Sequence, residues 1–240
     1  MAKAHSIISL ESIKLSKANL LDTSKEKSSK SEYIPRGYID INAYYPALES
    51  DIFTLNNFLD LPYGFEYFSF INFNFPDYYT EQDLYWKIPK APLDIATQYV
   101  SQSGNENEAF RFGTRLRISE TSLLKKLCEK INLIYHVTVF PGNVDNFDGY
   151  TLLVEHFYRI QLLEKWLGDR LYLSGFLDNN LFIDSSFSDS SVTVTEHQIG
   201  FRLVNQLYAI AEVRYNGFLP DKNVGLGVGL EYNIEFGKTN

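Results

Sequence analysis

The chain has 240 residues, a net charge of -8 and 15% aromatic residues. Because proteins that bind nucleic acid polymers are normally basic, this balance argues against such a partner. A single cysteine, Cys128, excludes an intrachain disulfide, a CxxC redox pair and a zinc cluster. No run of eighteen apolar residues occurs, so the sequence predicts no transmembrane helix.

Residues 1–36 are rich in Lys, Ser and Glu, and we interpret them as a mobile polar leader with one short helix near 7–21. They hold no recognisable signal peptide, because Ile7-Ile8-Ser9-Leu10 is too short and too polar for an apolar core. This feature counts against export of the protein.

From residue 37 to residue 240, segments of about ten residues alternate in polarity and are separated by turn residues. We assign residues 37–240 to one domain of about ten to twelve strands, since the segments 52–59 and 80–88 are ambiguous. The candidate strands lie near 37–45, 52–59, 64–75, 80–88, 91–102, 109–119, 130–140, 149–162, 169–184, 191–203, 206–217 and 223–236.

Two short stretches interrupt the alternation. Leu123, Leu124, Leu127 and Ile131 form a helical stripe, and residues 162–167 suggest a similar short element. We expect both to be turns or short helices at a barrel rim.

The final segment carries the strongest strand pattern. An unbroken row of seven apolar residues spans roughly 40 Å at about 3.3 Å per residue, which is long for a strand of a soluble protein. The intervening positions are glycine or polar. The row consists of Val224, Leu226, Val228, Leu230, Tyr232, Ile234 and Phe236.

These patterns predict an all-β fold, a single closed antiparallel up-and-down β-barrel of the outer-membrane type. Charges of both signs share the polar faces of several strands, where they can pair across a lumen. A soluble barrel or sandwich also alternates, but it would bury the apolar face and expose the charged one. Alternation alone does not say which face is inside.

Several segments resemble the Tsx-type nucleoside-specific channel family of bacterial outer membranes. They are 162–168 and 171–180, which carry a Trp-x-Gly and a Gly-Phe, then 197–201 and 211–217, and the earlier aromatic stretch 83–89. The resemblance implies a barrel of roughly twelve strands in the outer membrane that passes small solutes, nucleosides among them. It transfers no ligand-contacting residue to this chain.

Ten residues are the candidates for lining the lumen and contacting a solute. The arginines can hold anions by bidentate hydrogen bonds, or they can form a structural ladder with lumen carboxylates. The glutamates near the C-terminus can pair with Arg214 across adjacent strands or set the selectivity of a pore. The ten are Arg111, Arg115, Arg117, His136, Glu155, Arg159, Glu212, Arg214, Glu231 and Glu235.

Aromatic residues near strand ends are typical of girdles at a bilayer surface. Tyr44, Tyr45, Tyr78, Tyr79 and Trp86 fit this interpretation. Aromatic rings that point inward could instead stack on a flat ligand.

The sequence indicates no enzyme, no metal site and no cofactor. None of the four histidines is paired in sequence with a serine elbow or an orienting acid, and no phosphate-binding or dinucleotide motif occurs. Three hypotheses follow: a channel for small polar solutes, a non-transporting structural or adhesive membrane barrel, and a soluble barrel that binds a small apolar ligand. Membrane lipid and a small polar solute are the expected partners, and the oligomeric state stays open.

Overall fold

A computed structural model describes residues 35–48, 53–74, 76–104, 108–142, 151–182, 191–218 and 224–237. Twelve strands make up most of this part of the chain. They are β1 (Arg36–Leu48), β2 (Phe53–Asp60), β3 (Phe65–Asn74), β4 (Asp77–Lys87), β5 (Leu93–Gln102), β6 (Glu108–Arg117), β7 (Leu133–Phe140), β8 (Thr151–Leu162), β9 (Leu171–Phe182), β10 (Ser191–Val204), β11 (Leu207–Asn216) and β12 (Val224–Phe236).

The strands form one closed barrel in which each strand pairs antiparallel with the next in sequence. The first strand closes the barrel by pairing with the last, from Gly37 opposite Phe236 to Leu48 opposite Leu226. Closure leaves the sheet without a free edge, so ladder hydrogen bonds satisfy the backbone within the wall.

Two short helices lie in the connections at the barrel end that holds Arg36 and Phe236. They are α1 (Lys125–Lys130), which buries Cys128, and α2 (Glu164–Leu167). Two 3₁₀ turns, Pro62–Gly64 and Ile118–Glu120, lie at the same end. Among the described residues, no helix is long and apolar enough to cross a membrane.

The outer face of the barrel is apolar. On β12 the six apolar side chains from Val224 to Ile234 are each 42–54% exposed. Contact between water and a continuous apolar row of this kind would be unfavourable. Within the described strands, the outward positions carry no Asp, Glu, Lys or Arg except Glu108 at the start of β6. This surface matches the hydrocarbon of a bilayer.

The inner face is polar and buried. Asp94, Gln98, Asp178 and Gln198 are completely inaccessible, and Arg159 is 1% exposed. Since polar groups are inside and apolar groups outside, the arrangement is opposite to the one that a soluble barrel requires. The placement of the faces therefore contradicts the soluble-barrel hypothesis and confirms a barrel of the membrane type.

The strands predicted from alternation are confirmed, including the two ambiguous segments, which are β2 and β4. The helical stripe and the 162–167 element are confirmed as α1 and α2. The leader helix expected near 7–21 lies outside the described residues.

Three of the five expected girdle residues, Tyr45, Tyr78 and Trp86, face outward and are exposed. The other two assignments are wrong, because Tyr44 and Tyr79 lie inside the barrel with only 7% and 5% exposure. Adjacent strand residues point to opposite faces, so two neighbouring tyrosines cannot share one girdle.

The outward row of β12 generates a stability prediction. Leu230→Arg, near the middle of the strand, should destabilise the barrel in lipid by about 2–4 kcal/mol, because the guanidinium would face the bilayer core. Val224→Arg is the matched control, since Val224 and Leu230 are equally exposed but Val224 begins the strand. Val224→Arg should lower the free energy of unfolding by about 0–1 kcal/mol.

Reversible urea unfolding in phosphatidylcholine vesicles, followed by tryptophan fluorescence, measures both free energies. Equal effects of the two substitutions would contradict the assignment of this face to the membrane.

Candidate functional site

The candidate site is the lumen, and the structure places all ten candidate residues on its inner face. Seven are buried, whereas Arg111, His136 and Glu235 are partly accessible. Contact with a solute remains a prediction for each of them. The buried seven are Arg115, Arg117, Glu155, Arg159, Glu212, Arg214 and Glu231.

Five inward residues on β3 to β6 form a dense ion-pair cluster near the end of the barrel that holds α1. Arg115 donates from Nε to Asp94 Oδ2 at 2.6 Å and also contacts Glu66. Lys87 pairs with the other oxygen of Glu66. We call Glu66, Lys87, Asp94, Arg115 and Arg117 the Arg115 cluster, because Arg117 joins it through Asp94.

The arginines of this cluster are also held by neighbouring groups. The Arg115 guanidinium lies 3.7 Å from the centre of the Tyr85 ring, a cation–π contact. Arg117 donates to Glu120 Oε2 at 2.8 Å and to the carbonyl of Ala91 at 2.7 Å. These contacts are those of a structural ladder, so Arg115 and Arg117 have few donors left for an anion.

A second polar network links the inner faces of five neighbouring strands, β9, β10, β11, β12 and β1. The Tyr44 hydroxyl lies 2.9 Å from Glu212 Oε2 and 3.1 Å from Gln198 Oε1. Gln198 Nε2 donates to the Tyr172 hydroxyl at 2.6 Å and to Glu231 Oε2 at 2.9 Å. We call Tyr44, Tyr172, Gln198, Glu212 and Glu231 the Tyr172 network.

Two arginines lie against this network. Arg159 stacks over the Tyr172 ring at 3.7 Å. Arg214 Nε lies 3.0 Å from Glu196 Oε2 in an ion pair, and Arg214 also contacts Glu212 on its own strand. The sequence analysis expected glutamates of the C-terminal strands to pair with Arg214. One of the two partners is instead Glu196 of β10, which was not among the candidates.

A further hydrogen bond joins the inner faces of β5 and β8. Gln98 of β5 donates from Nε2 to Glu155 Oε1 of β8 at 2.8 Å, although two strands separate β5 from β8 in the sheet. Arg111 donates to the amide oxygen of Gln98. This bridge occupies part of the lumen in front of β6 and β7.

Aromatic side chains fill much of the remaining lumen. Tyr38 stacks on Phe58 with ring centres 5.6 Å apart, and Phe70 stacks on Tyr79 at 5.5 Å. Phe68 packs against the same group. The sequence analysis did not assign these rings to the lumen. The signal was available, because residues two apart on a strand face the same side: Tyr38 lies two residues from Asp40, and Tyr79 two residues from Glu81.

A cavity of about 50 Å³ remains within the lumen. Its lining combines aromatic rings with charged and polar groups from opposite sides of the barrel. It comprises Phe58, Phe68, Asp83, Tyr85, Arg115, His136, Thr138, Glu155, His156, Phe157 and Phe176. A space of this size holds a few water molecules.

Comparisons with known proteins point to one fold. No protein-family model matches the chain, and no curated protein matches it. Among solved structures, NanC porin superposes with a TM-score of 0.50 at 6% identity, covering 82% of this chain and 98% of that one. KdgM porin gives 0.49 at 13% identity, with 81% and 98% covered. KdgM porin in complex with disordered oligogalacturonate gives 0.47 at 15% identity, with the same coverage.

At these identities the likeness concerns the fold. The chain has the closed barrel fold of an outer-membrane porin, in agreement with the porin-type barrel that the sequence resemblance implies. Specificity for nucleosides does not follow from this likeness.

The Arg115 cluster generates a second stability prediction. Arg115→Met should lower the free energy of unfolding in lipid by roughly 3 kcal/mol, because it removes a buried cation from two carboxylates. Lys87→Met should cost about 1 kcal/mol or less, since the Lys87 side chain is 27% exposed and Arg115 still holds Glu66.

Urea titration of both variants in lipid vesicles gives the comparison. A Lys87→Met variant that is destabilised as strongly as Arg115→Met would refute the central position of Arg115 in the cluster.

Proposed function

We propose that the chain is a channel of the bacterial outer membrane that passes small polar solutes by diffusion. One observation carries the proposal: the charged side chains line the inside of a closed barrel whose outer wall is apolar. Burying so many ionisable groups inside a membrane is costly, and such groups in membrane proteins mark paths for ions and solutes. No catalytic step is part of this proposal.

The width of the lumen limits the solutes. The Gln98–Glu155 bridge extends from β5 to β8, the Tyr172 network extends from β9 to β1, and the cavity lined by Glu155 is small. Because these bridges are made by side chains, a rotamer change can open them on a short timescale without disturbing the barrel. The channel is therefore expected to exclude all but small molecules.

The same bridges favour a second candidate, a non-transporting structural or adhesive barrel. Its supporting observation is the aromatic packing inside the lumen, with Phe70 and Tyr38 fully inaccessible. In this case the polar groups would only stabilise the wall, and the loops would carry any binding.

Conductance separates the two candidates. The full chain, refolded and inserted in a planar bilayer in potassium chloride, should give discrete unitary currents. Gln98→Ala should increase the unitary conductance, because it removes the bridge to Glu155 and frees Arg111. Gln206→Ala, the same truncation in an exposed turn, is the control and should leave the conductance unchanged.

The channel proposal fails if correctly folded wild type and Gln98→Ala are both silent. That outcome would support the non-transporting barrel. Heat-modifiable gel mobility establishes folding before each recording.

We extend the proposal to nucleosides as a solute class. Its support is the sequence resemblance, together with aromatic rings such as Phe157 and Phe176, which line the cavity. In liposomes that contain the protein, adenosine should enter faster than glucose, although glucose is the smaller molecule. Equal rates of entry would remove the nucleoside extension and leave the general channel intact.

A further inference from the structure

The charges of the lumen are unbalanced. Among the residues that the structure describes as buried, ten carry carboxylates and four carry guanidinium groups. The carboxylates are those of Asp40, Glu66, Glu81, Asp83, Asp94, Glu155, Asp178, Glu196, Glu212 and Glu231, and the cations are Arg115, Arg117, Arg159 and Arg214.

Partly accessible residues on the same face change this balance little. They add one net positive charge, because four cations accompany three carboxylates. The cations are Arg36, Lys87, Arg111 and Arg202, and the carboxylates are those of Asp60, Asp77 and Glu235.

Most of the buried cations are already shared between carboxylates. Arg115 contacts Asp94 and Glu66, and Arg214 contacts Glu196 and Glu212. Arg117 likewise contacts Asp94 and Glu120. Such guanidinium groups present little uncompensated positive charge to a passing anion.

Four of these carboxylates lie on the inner faces of β4, β8 and β9, away from the strand ends. Glu155 on β8 lies directly opposite Asp178 on β9, on the inner face. Glu81 and Asp83 lie two residues apart on the inner face of β4. Like charges in these positions repel one another, which favours a cation over an anion in the space that they face.

The cavity brings both sides of this acidic region together. Asp83 of β4 and Glu155 of β8 line it, along with the rings of Phe58, Phe68 and Phe176. The faces of aromatic rings attract cations and gain nothing from anions. Arg115 also reaches the cavity, but Asp94 and Glu66 share its charge.

From these observations we infer that the lumen selects cations over anions, with Asp83 and Glu155 as the residues that determine the selectivity. Rings of carboxylates act in this way in cation channels. The solute class is small monovalent cations, both inorganic ions and organic ammonium ions. The inference rests on the proposed channel function and adds its charge selectivity.

Reversal potentials across a bilayer with a potassium chloride gradient test the inference. The wild-type channel should be permeable to potassium over chloride by roughly threefold or more. Asp83→Asn and Glu155→Gln should each lower this ratio towards one. Arg111→Gln, which removes a positive charge from the lumen, should raise it.

Glu129→Gln is the matched control. It removes the same charge from the exposed face of α1, outside the lumen, and should leave the permeability ratio unchanged. The permeability of tetramethylammonium relative to chloride, measured in the same bilayers, tests the organic cations.

The outcomes are distinct. A channel that conducts with a ratio of one or below overturns the inference and leaves the channel function standing. A cation-selective channel that Asp83→Asn and Glu155→Gln do not alter overturns the assignment to these two residues. Absence of current from folded protein refutes the channel and the inference together. If Asp83→Asn fails the heat-modifiability test for folding, Glu155→Gln and Arg111→Gln still show whether lumen charges set the preference for cations over anions.

Discussion

Pairing between β1 and β12 is the constraint on which the rest of the structure depends. An open sheet of twelve strands would leave two rows of backbone donors and acceptors without partners, at a cost of several kcal/mol for each group in hydrocarbon. Closure at Gly37 opposite Phe236 removes both edges. It also fixes the register all round the barrel, and a slip of one residue would turn every apolar side chain into the lumen.

Once the register is fixed, the lumen must accommodate many charged side chains in little space. Carboxylates and guanidinium groups stabilise one another there only when they meet at hydrogen-bond distance, as Arg115 does with Asp94 at 2.6 Å. Aromatic rings such as Phe70 and Tyr38 occupy volume that would otherwise be left empty. The same side chains that stabilise the wall thus set the width and the charge of any path through it, and stability and selectivity are coupled in this barrel.

Strand positions could be predicted from the sequence because alternation is a local property. The seven apolar residues of β12 and the arginines of β6 reveal their faces without knowledge of any partner strand. Which face is inside could not be predicted from alternation, since a soluble barrel gives the same pattern. Because successive residues of a strand face opposite sides, the girdle assignments of Tyr44 and Tyr79 could have been corrected from the sequence. Tyr44 precedes the outward Tyr45, and Tyr79 follows the outward Tyr78.

Contacts within the lumen were harder to predict for a physical reason. Gln98 meets Glu155 although two strands separate them, and Tyr44 meets Gln198 across β12 and β11. Such contacts depend on the curvature of the closed wall and on the stagger of its strands, which no local segment encodes. Glu66, Asp94 and Glu196 were missed for this reason, because each acquires its role from an arginine on another strand.

The central claim is that the apolar face of this barrel meets lipid and the polar face meets the lumen. Refolding the full chain with and without phosphatidylcholine vesicles, followed by circular dichroism and heat-modifiable gel mobility, tests it most directly. The barrel should give a β-sheet spectrum and a shifted folded band in the presence of lipid, whereas the chain should aggregate or stay unfolded in plain buffer. A folded monomer in buffer without lipid or detergent would contradict it.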